Sequence, residues 1–170
     1  APQGIAILAI AREGHWRSPL PPMDNRRTFG SYSKPLLLAT AVAMTAYVED
    51  LQSERLRIAQ IRKELVLLLK NSIPDLRAID DEMSTDPRYV ALGIPGVIGE
   101  ELVRQMEIHG FLIDAGSACG AGPLSPSHVF DAMGWQGLAH IRITLKKEHD
   151  RKEVQELASA LTTQIAQARK

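Results

Sequence analysis

The sequence predicts an α/β chain whose later part is an α+β arrangement hung on one long helix. Three observations carry that reading. An uninterrupted apolar run of strand length, residues 4–11, opens the chain, as in a strand covered on both faces of a mostly parallel sheet. Helix formers then continue from Pro35 to about residue 71, with Ile58, Ile61, Leu65 and Leu68 forming a stripe at helical spacing. Beyond Pro74, short strand patterns and helix patterns alternate to the end.

Taken in order, the run at 4–11 has no obvious partner strand nearby, so the chain reads as a piece of a larger protein. Residues 12–35 hold Pro19, Pro21, Pro22, Gly14 and Gly30 with no sustained period, and form a long loop. Pro35 suits the first turn of the helix that follows. Unbroken, that helix is on the order of 55 Å long, too long for one small domain, and is expected to connect two. "LRAID" and "RYVALGI" read as strands; a Pro-Gly turn and a helix over 99–109 follow, stopped by Gly110. "FLIDAG" is a short strand. Ser125 caps a helix begun by Pro126 and closed by Gly134. In "HIRITL", Ile141, Ile143 and Leu145 take one face, and Arg142 and Thr144 the other. The last helix starts near Asp150 and puts Val154, Leu157, Ala158, Leu161 and Ile165 on one side.

Composition narrows the function. The 170 residues hold 20 Lys+Arg and 20 Asp+Glu, so no net field favours nucleic acid or anionic lipid. The longest apolar stretch, 36–48, is interrupted by Thr40 and Thr45 and is shorter than the roughly 20 residues of a membrane span. The single cysteine cannot form an internal disulfide, which fits a reducing, cytoplasmic setting.

That cysteine is the first candidate for chemistry. Cys119 sits in "DAGSACGAGPLSPSHV", between a strand and a capped helix, and the glycines at 116, 120 and 122 give the loop freedom. A buried structural Cys wants bulky neighbours and this one has none; a mobile nucleophile or sulfur carrier fits better. Arg142 is the second: the one charged residue inside an otherwise good strand, a rigidly mounted fork for a carboxylate, or else a side chain on a solvent face. His15, His109, His128, His140 and His149 are scattered without metal-ligand spacing and read as surface or capping residues, so no metal site is expected. His128, in the first turn after the Cys loop, is the exception to watch. "MDNRRTFGSYSK" sets Arg26, Arg27, Ser31, Ser33 and Lys34 before a helix N-terminus, an arrangement able to hold an anion.

"GSACGAGPLSPSHVFDAMG" followed by "IRITL" resembles the C-terminal part of the group I cysteine desulfurases, pyridoxal-phosphate enzymes of the class V aminotransferase family. "PQGIAIL" is similar to the family's "GPxGxGxL" strand, "GIPGVIGEELVRQMEIHGFLIDAGSAC" to its Pro-Gly-Val, Gly-Glu, helix, strand and Gly-Ser-Ala-Cys succession, and "LSPSHV" to its "LEPSHV". Nearly the whole chain can be laid along that pattern.

The resemblance implies the C-terminal portion of a fold-type I pyridoxal 5'-phosphate-dependent transferase. Residues 1–34 would be a remnant of the cofactor-binding large domain with its last strand and active-site loop, 35–60 the bridging helix, and 61–170 the α+β small domain with the Cys loop. It implies that Cys119 takes sulfur from L-cysteine as a persulfide, that L-alanine leaves, and that Arg142 grips the substrate carboxylate. Ser31, Ser33 and Lys34 would stand where the family's Gly-Thr reaches the cofactor phosphate from the neighbouring subunit of a homodimer. The family's cofactor lysine falls before Ala1, so the missing portion would supply it and the isolated piece would be inactive. Sulfur would pass to an acceptor or scaffold protein, as in iron–sulfur cluster assembly. Asp114 replaces the family's usual Ser ahead of the Cys loop, and "LKK" follows Arg142 where "LGR" is usual. Three other readings stand beside this one: a selenocysteine lyase or another class V lyase, a non-catalytic interaction or dimerisation module, and a thiol redox sensor at Cys119.

Overall fold

The computed structural model describes residues 3–12, 16, 33–79, 86–115 and 128–170. The chain separates into two compact units, Ala1–Gln52 and Ser53–Lys170.

In the first unit, residues 5–10 form no strand or helix, and Ile7 and Leu8 are exposed. The paired, covered strand expected at 4–11 is therefore not found among the described residues. An apolar run of this length becomes a strand only when a neighbour takes up its N–H and C=O groups, and no described segment does so. The helix α1, Lys34–Ser72, begins where Pro35 suggested. Ser33 caps it, its Oγ accepting from the Leu36 amide at 3.5 Å. Within this unit Thr40 is buried and returns its hydroxyl to the Leu36 carbonyl, while Leu38, Val42, Tyr47 and Val48 are exposed.

The second unit is a two-layer α+β domain. Its sheet comprises β1 (Arg77–Ala78), β2 (Tyr89–Ile94), β3 (Asp114–Ala115) and β4 (Ala139–Thr144), in the order β1-β2-β4-β3 and antiparallel throughout. Every strand is where the sequence placed one, though β3 keeps only two residues of "FLIDAG". Alternation sends Val90, Leu92, Ile141 and Ile143 to one face, where all are buried.

That face is covered by helices. Leu102 and Met106 come from α2 (Gly99–Ile108), and Val154, Leu157, Leu161 and Ile165 from α4 (Arg151–Ala168). Ile58, Ile61, Leu65 and Leu69 come from the part of α1 that lies in this unit. Together they make one continuous core, the main source of stability here. Polar clips fix the connections. Arg57 donates to the carbonyls of Lys147 and, at 2.9 Å, of His149, tying the β4–α4 turn to α1. Arg169 donates to Asp75 and to the Pro95 carbonyl, closing the end of α4. Asp150 and Glu153 form a reciprocal capping box at the start of α4.

Helices α2 and α3 (His128–Ala132) stop in the same way. After α2, the Phe111 amide reaches back to the Met106 carbonyl and Gly110 adopts φ +84°. After α3, the Trp135 amide reaches the Phe130 carbonyl and Gly134 adopts φ +74°. Only glycine takes this left-handed conformation without cost, so both stops were readable from sequence. The second has a structural consequence, because it turns the chain so that Trp135 lies back over the sheet.

Candidate functional site

The sheet face turned away from the helical layer carries the polar chemistry. In β4, His140, Arg142 and Thr144 alternate with the buried Ile141 and Ile143 and share that face. β2 places Gly93 opposite His140, Ala91 opposite Arg142 and Tyr89 opposite Thr144. Small residues at 91 and 93 keep the middle of this face low.

One end of the face is roofed by aromatic rings. Phe130 stacks on Trp135 with centroids 5.4 Å apart and on His140 at 4.2 Å. His140 Nε2 lies 3.1 Å from the Trp135 carbonyl. This corrects the sequence reading of His140 as a surface or capping residue; its ring is a tile of an aromatic cluster. His109 does act at a cap, and His149 sits in the turn just before the N-cap of α4. The first is the C-cap of α2 and lies 2.9 Å from the Gln164 amide nitrogen. The second accepts from the Lys146 amide at 3.1 Å.

Next along the same face of β4, two residues past His140, Arg142 meets Asp114. Register makes them direct partners across β3 and β4, and Arg142 Nη2 donates to Asp114 Oδ2. Both side chains remain accessible, 55% and 40% exposed. Asp114 was noticed in the sequence only as a departure from a pattern. Its contact with Arg142 was not legible there, since 28 residues separate them and only strand register brings them together.

At the entry to β2, Asp86 is held below the ordinary carboxylate value, chiefly by side-chain hydrogen bonds from Arg88. The pair fixes the start of the strand that faces Arg142.

Cys119, Ser31 and the cap residues Ser125 and Pro126 lie outside the described residues, as does the side chain of His128. Ser33 and Lys34 are described, in the first unit, at the exposed start of α1. The Ser33 hydroxyl and the Lys34 ammonium are donors of the kind that suits a phosphate, whereas the helix's own first turn offers little more, since Pro35 has no N–H and the Leu36 and Leu37 amides donate to Ser33. Among the described residues, no cluster of three or more His, Cys, Asp or Glu is positioned to hold a metal ion. No helix among them is long and apolar enough to cross a membrane.

A NifS-like protein of known structure superposes on 91% of this chain with a TM-score of 0.71 at 23% sequence identity, using 40% of its own length. The cysteine desulfurase of Bradyrhizobium diazoefficiens is 26% identical over 175 residues, covering 99% of this chain and 44% of that protein. The cysteine desulfurase IscS of Ehrlichia chaffeensis is 29% identical over 178 residues, covering 99% of this chain and 43% of its own. The chain is similar to cysteine desulfurases. It spans less than half the length of the desulfurases it matches. No family model matches it. The fold is the one the sequence implied, part of a fold-type I chain with an α+β domain, and the similarity to desulfurases runs through α1, the sheet and α4 alike.

Proposed function

We propose that this chain is the C-terminal part of a pyridoxal-phosphate-dependent cysteine desulfurase, in which Cys119 receives the sulfur of L-cysteine and Arg142 binds the substrate carboxylate. The observation that carries the reading is the join between β3 and β4. Ala115 is the register partner of Ile141, next to Arg142, and Cys119 follows Ala115 by four residues. Covalent geometry therefore keeps the Cys119 Cα within about 14 Å of the Ala115 Cα, inside the reach of a substrate held at Arg142.

Each side chain has a defined task. The exposed Arg142 guanidinium offers paired N–H donors, which match a carboxylate and orient the amino acid on the open face of the sheet. The Cys119 thiolate attacks the substrate sulfur; the S–Cβ bond breaks, its electron pair stays with carbon, and protonation releases L-alanine while Cys119 keeps the sulfur as a persulfide. Ser33 and Lys34 at the start of α1, together with Ser31, would hold the cofactor phosphate, a role for which their donor chemistry is suited. Pyridoxal phosphate, when bound, supplies the electron withdrawal that makes the S–Cβ bond labile.

On this reading residues 1–34 belong to the cofactor-binding domain, 35–60 to a bridging helix and 61–170 to the small domain. The protein works as a homodimer in a reducing, cytoplasmic compartment and passes its sulfur to an acceptor or scaffold protein of iron–sulfur cluster assembly. Replacing Cys119 by Ala in the cofactor-containing protein abolishes release of alanine from L-cysteine while amino-acid binding persists. Undiminished alanine release by C119A removes the proposed role.

A further inference from the structure

Arg142 already has a carboxylate. The Asp114 side chain stands directly across the β3–β4 ladder and accepts from Nη2 on the same open face where a substrate would have to bind. We propose that Asp114 is a tethered competitor for the Arg142 guanidinium, so that an incoming carboxylate must displace it and the pair sets how tightly this site holds an amino acid. The inference rests on the proposed carboxylate role of Arg142 and adds a specificity-determining residue to it.

Four observations support competition over a purely structural cross-link. Both side chains of the pair are solvent-accessible, 55% and 40% exposed, so the contact is not sealed in the core of the domain. Among the described residues the contact runs through one nitrogen and one oxygen, and a guanidinium has further N–H donors for another acceptor. The strands do not depend on it, because backbone pairing of β3 with β4 and the packing of Ile141 and Ile143 hold the sheet. Finally, Asp114 is beside Arg142 by register, so its local concentration is fixed by the fold and is always present as a rival.

An exposed ion pair of this kind contributes little to folding, and its energy is of the size that shifts ligand affinity by up to about fivefold. A carboxylate that breaks the pair also leaves Asp114 nearby as a like charge. Removing the Asp114 charge therefore strengthens carboxylate binding, whereas removing Arg142 abolishes it.

The test uses the whole chain. Arg142 is labelled with phenylglyoxal, the modified peptide is quantified by mass spectrometry, and the concentration of L-alanine that halves the labelling rate is measured. Asp114→Asn and Asp114→Ser are expected to lower that concentration by up to about fivefold relative to the parent chain. Asp114→Glu, which keeps the charge, is expected to stay with the parent. Arg142 labelling is also expected to be faster in D114N without ligand, since the guanidinium is freed. Matching thermal melts show that the variants fold.

Protection in D114N that is equal to or weaker than in the parent overturns the inference, as does absence of protection in every variant. Sulfur transfer is read separately at Cys119, so the two failures are distinct. An unchanged D114N alongside a persulfide on Cys119 removes the competitor and leaves the proposed function. Tighter protection in D114N with no sulfur reaching Cys119 does the reverse.

Discussion

Trp135 packs against Gly93: a Cβ placed on that glycine would stand 2.8 Å from Trp135 Cε3 and 2.8 Å from Leu138 Cδ1. No real methyl sits that close to a carbon atom, and although the tip of Leu138 can turn aside, the Trp135 ring cannot retreat easily. Trp135 is stacked on Phe130, which is stacked on His140, so the ring is held from its far side. A glycine in mid-strand normally weakens a sheet. Here it makes the room that lets the aromatic roof settle beside Arg142.

Gly93→Ala is accordingly expected to destabilise the chain by about 1–3 kcal/mol through overpacking. Chemical denaturation followed by tryptophan fluorescence measures it. Trp135→Ala in the same background should relieve part of the cost, a non-additive cycle that distinguishes a clash with the ring from a general loss of strand propensity. A fully additive cycle would place the cost elsewhere.

A second prediction concerns acid. Glu64 on α1 accepts from Arg151 at 2.7 Å and from Gln155 at 2.8 Å, both on α4, and these hydrogen bonds, Arg151 first, hold its carboxyl below the ordinary 4.5. With the folded value depressed, the unfolded chain binds more protons over that interval, so stability rises with pH there. The contribution is fully present above about 4.5 and is lost as the pH falls through the folded value. Urea titrations at a series of pH values should show the parent more stable than Glu64→Gln at neutral pH, with the gap closing below 4.5. A gap that widens on acidification contradicts the assignment.

The start of α4 provides a third. Asp150 accepts from the Glu153 amide at 2.8 Å while Glu153 accepts from the Asp150 amide at 2.9 Å. Asp150→Ala leaves the first-turn N–H groups without their side-chain acceptor and is expected to cost about 1 kcal/mol, seen as a lower melting temperature. Asp150→Ser, which can still cap, should recover most of it.

These elements also show which parts of the molecule a sequence reveals. The start of the last helix at Asp150, the glycine stops at Gly110 and Gly134 and the stripe of Ile58, Ile61, Leu65 and Leu68 depend on near neighbours in the chain, and each is found as read, although the capping box that fixes the start at Asp150 was not foreseen. The alternation of Ile141, Arg142 and Ile143 likewise sorted one face from the other. What was not legible depends on partners that the local sequence does not name. The run around Ile7 and Leu8 has the composition of a covered strand, but composition does not supply a neighbour, and both side chains are exposed. His140 looked like any surface histidine until Phe130 stacked on it. Asp114 and Arg142 were each visible, yet strand register alone made them a pair.

The most direct measurement of the central claim is the destination of the sulfur. The cofactor-containing protein is supplied with L-cysteine, trapped with a thiol-alkylating reagent, digested and mapped by mass spectrometry. The account predicts one extra sulfur atom on the peptide containing Cys119, appearing with L-alanine and absent when cysteine is withheld. Release of L-alanine with Cys119 recovered as an unmodified thiol would contradict it.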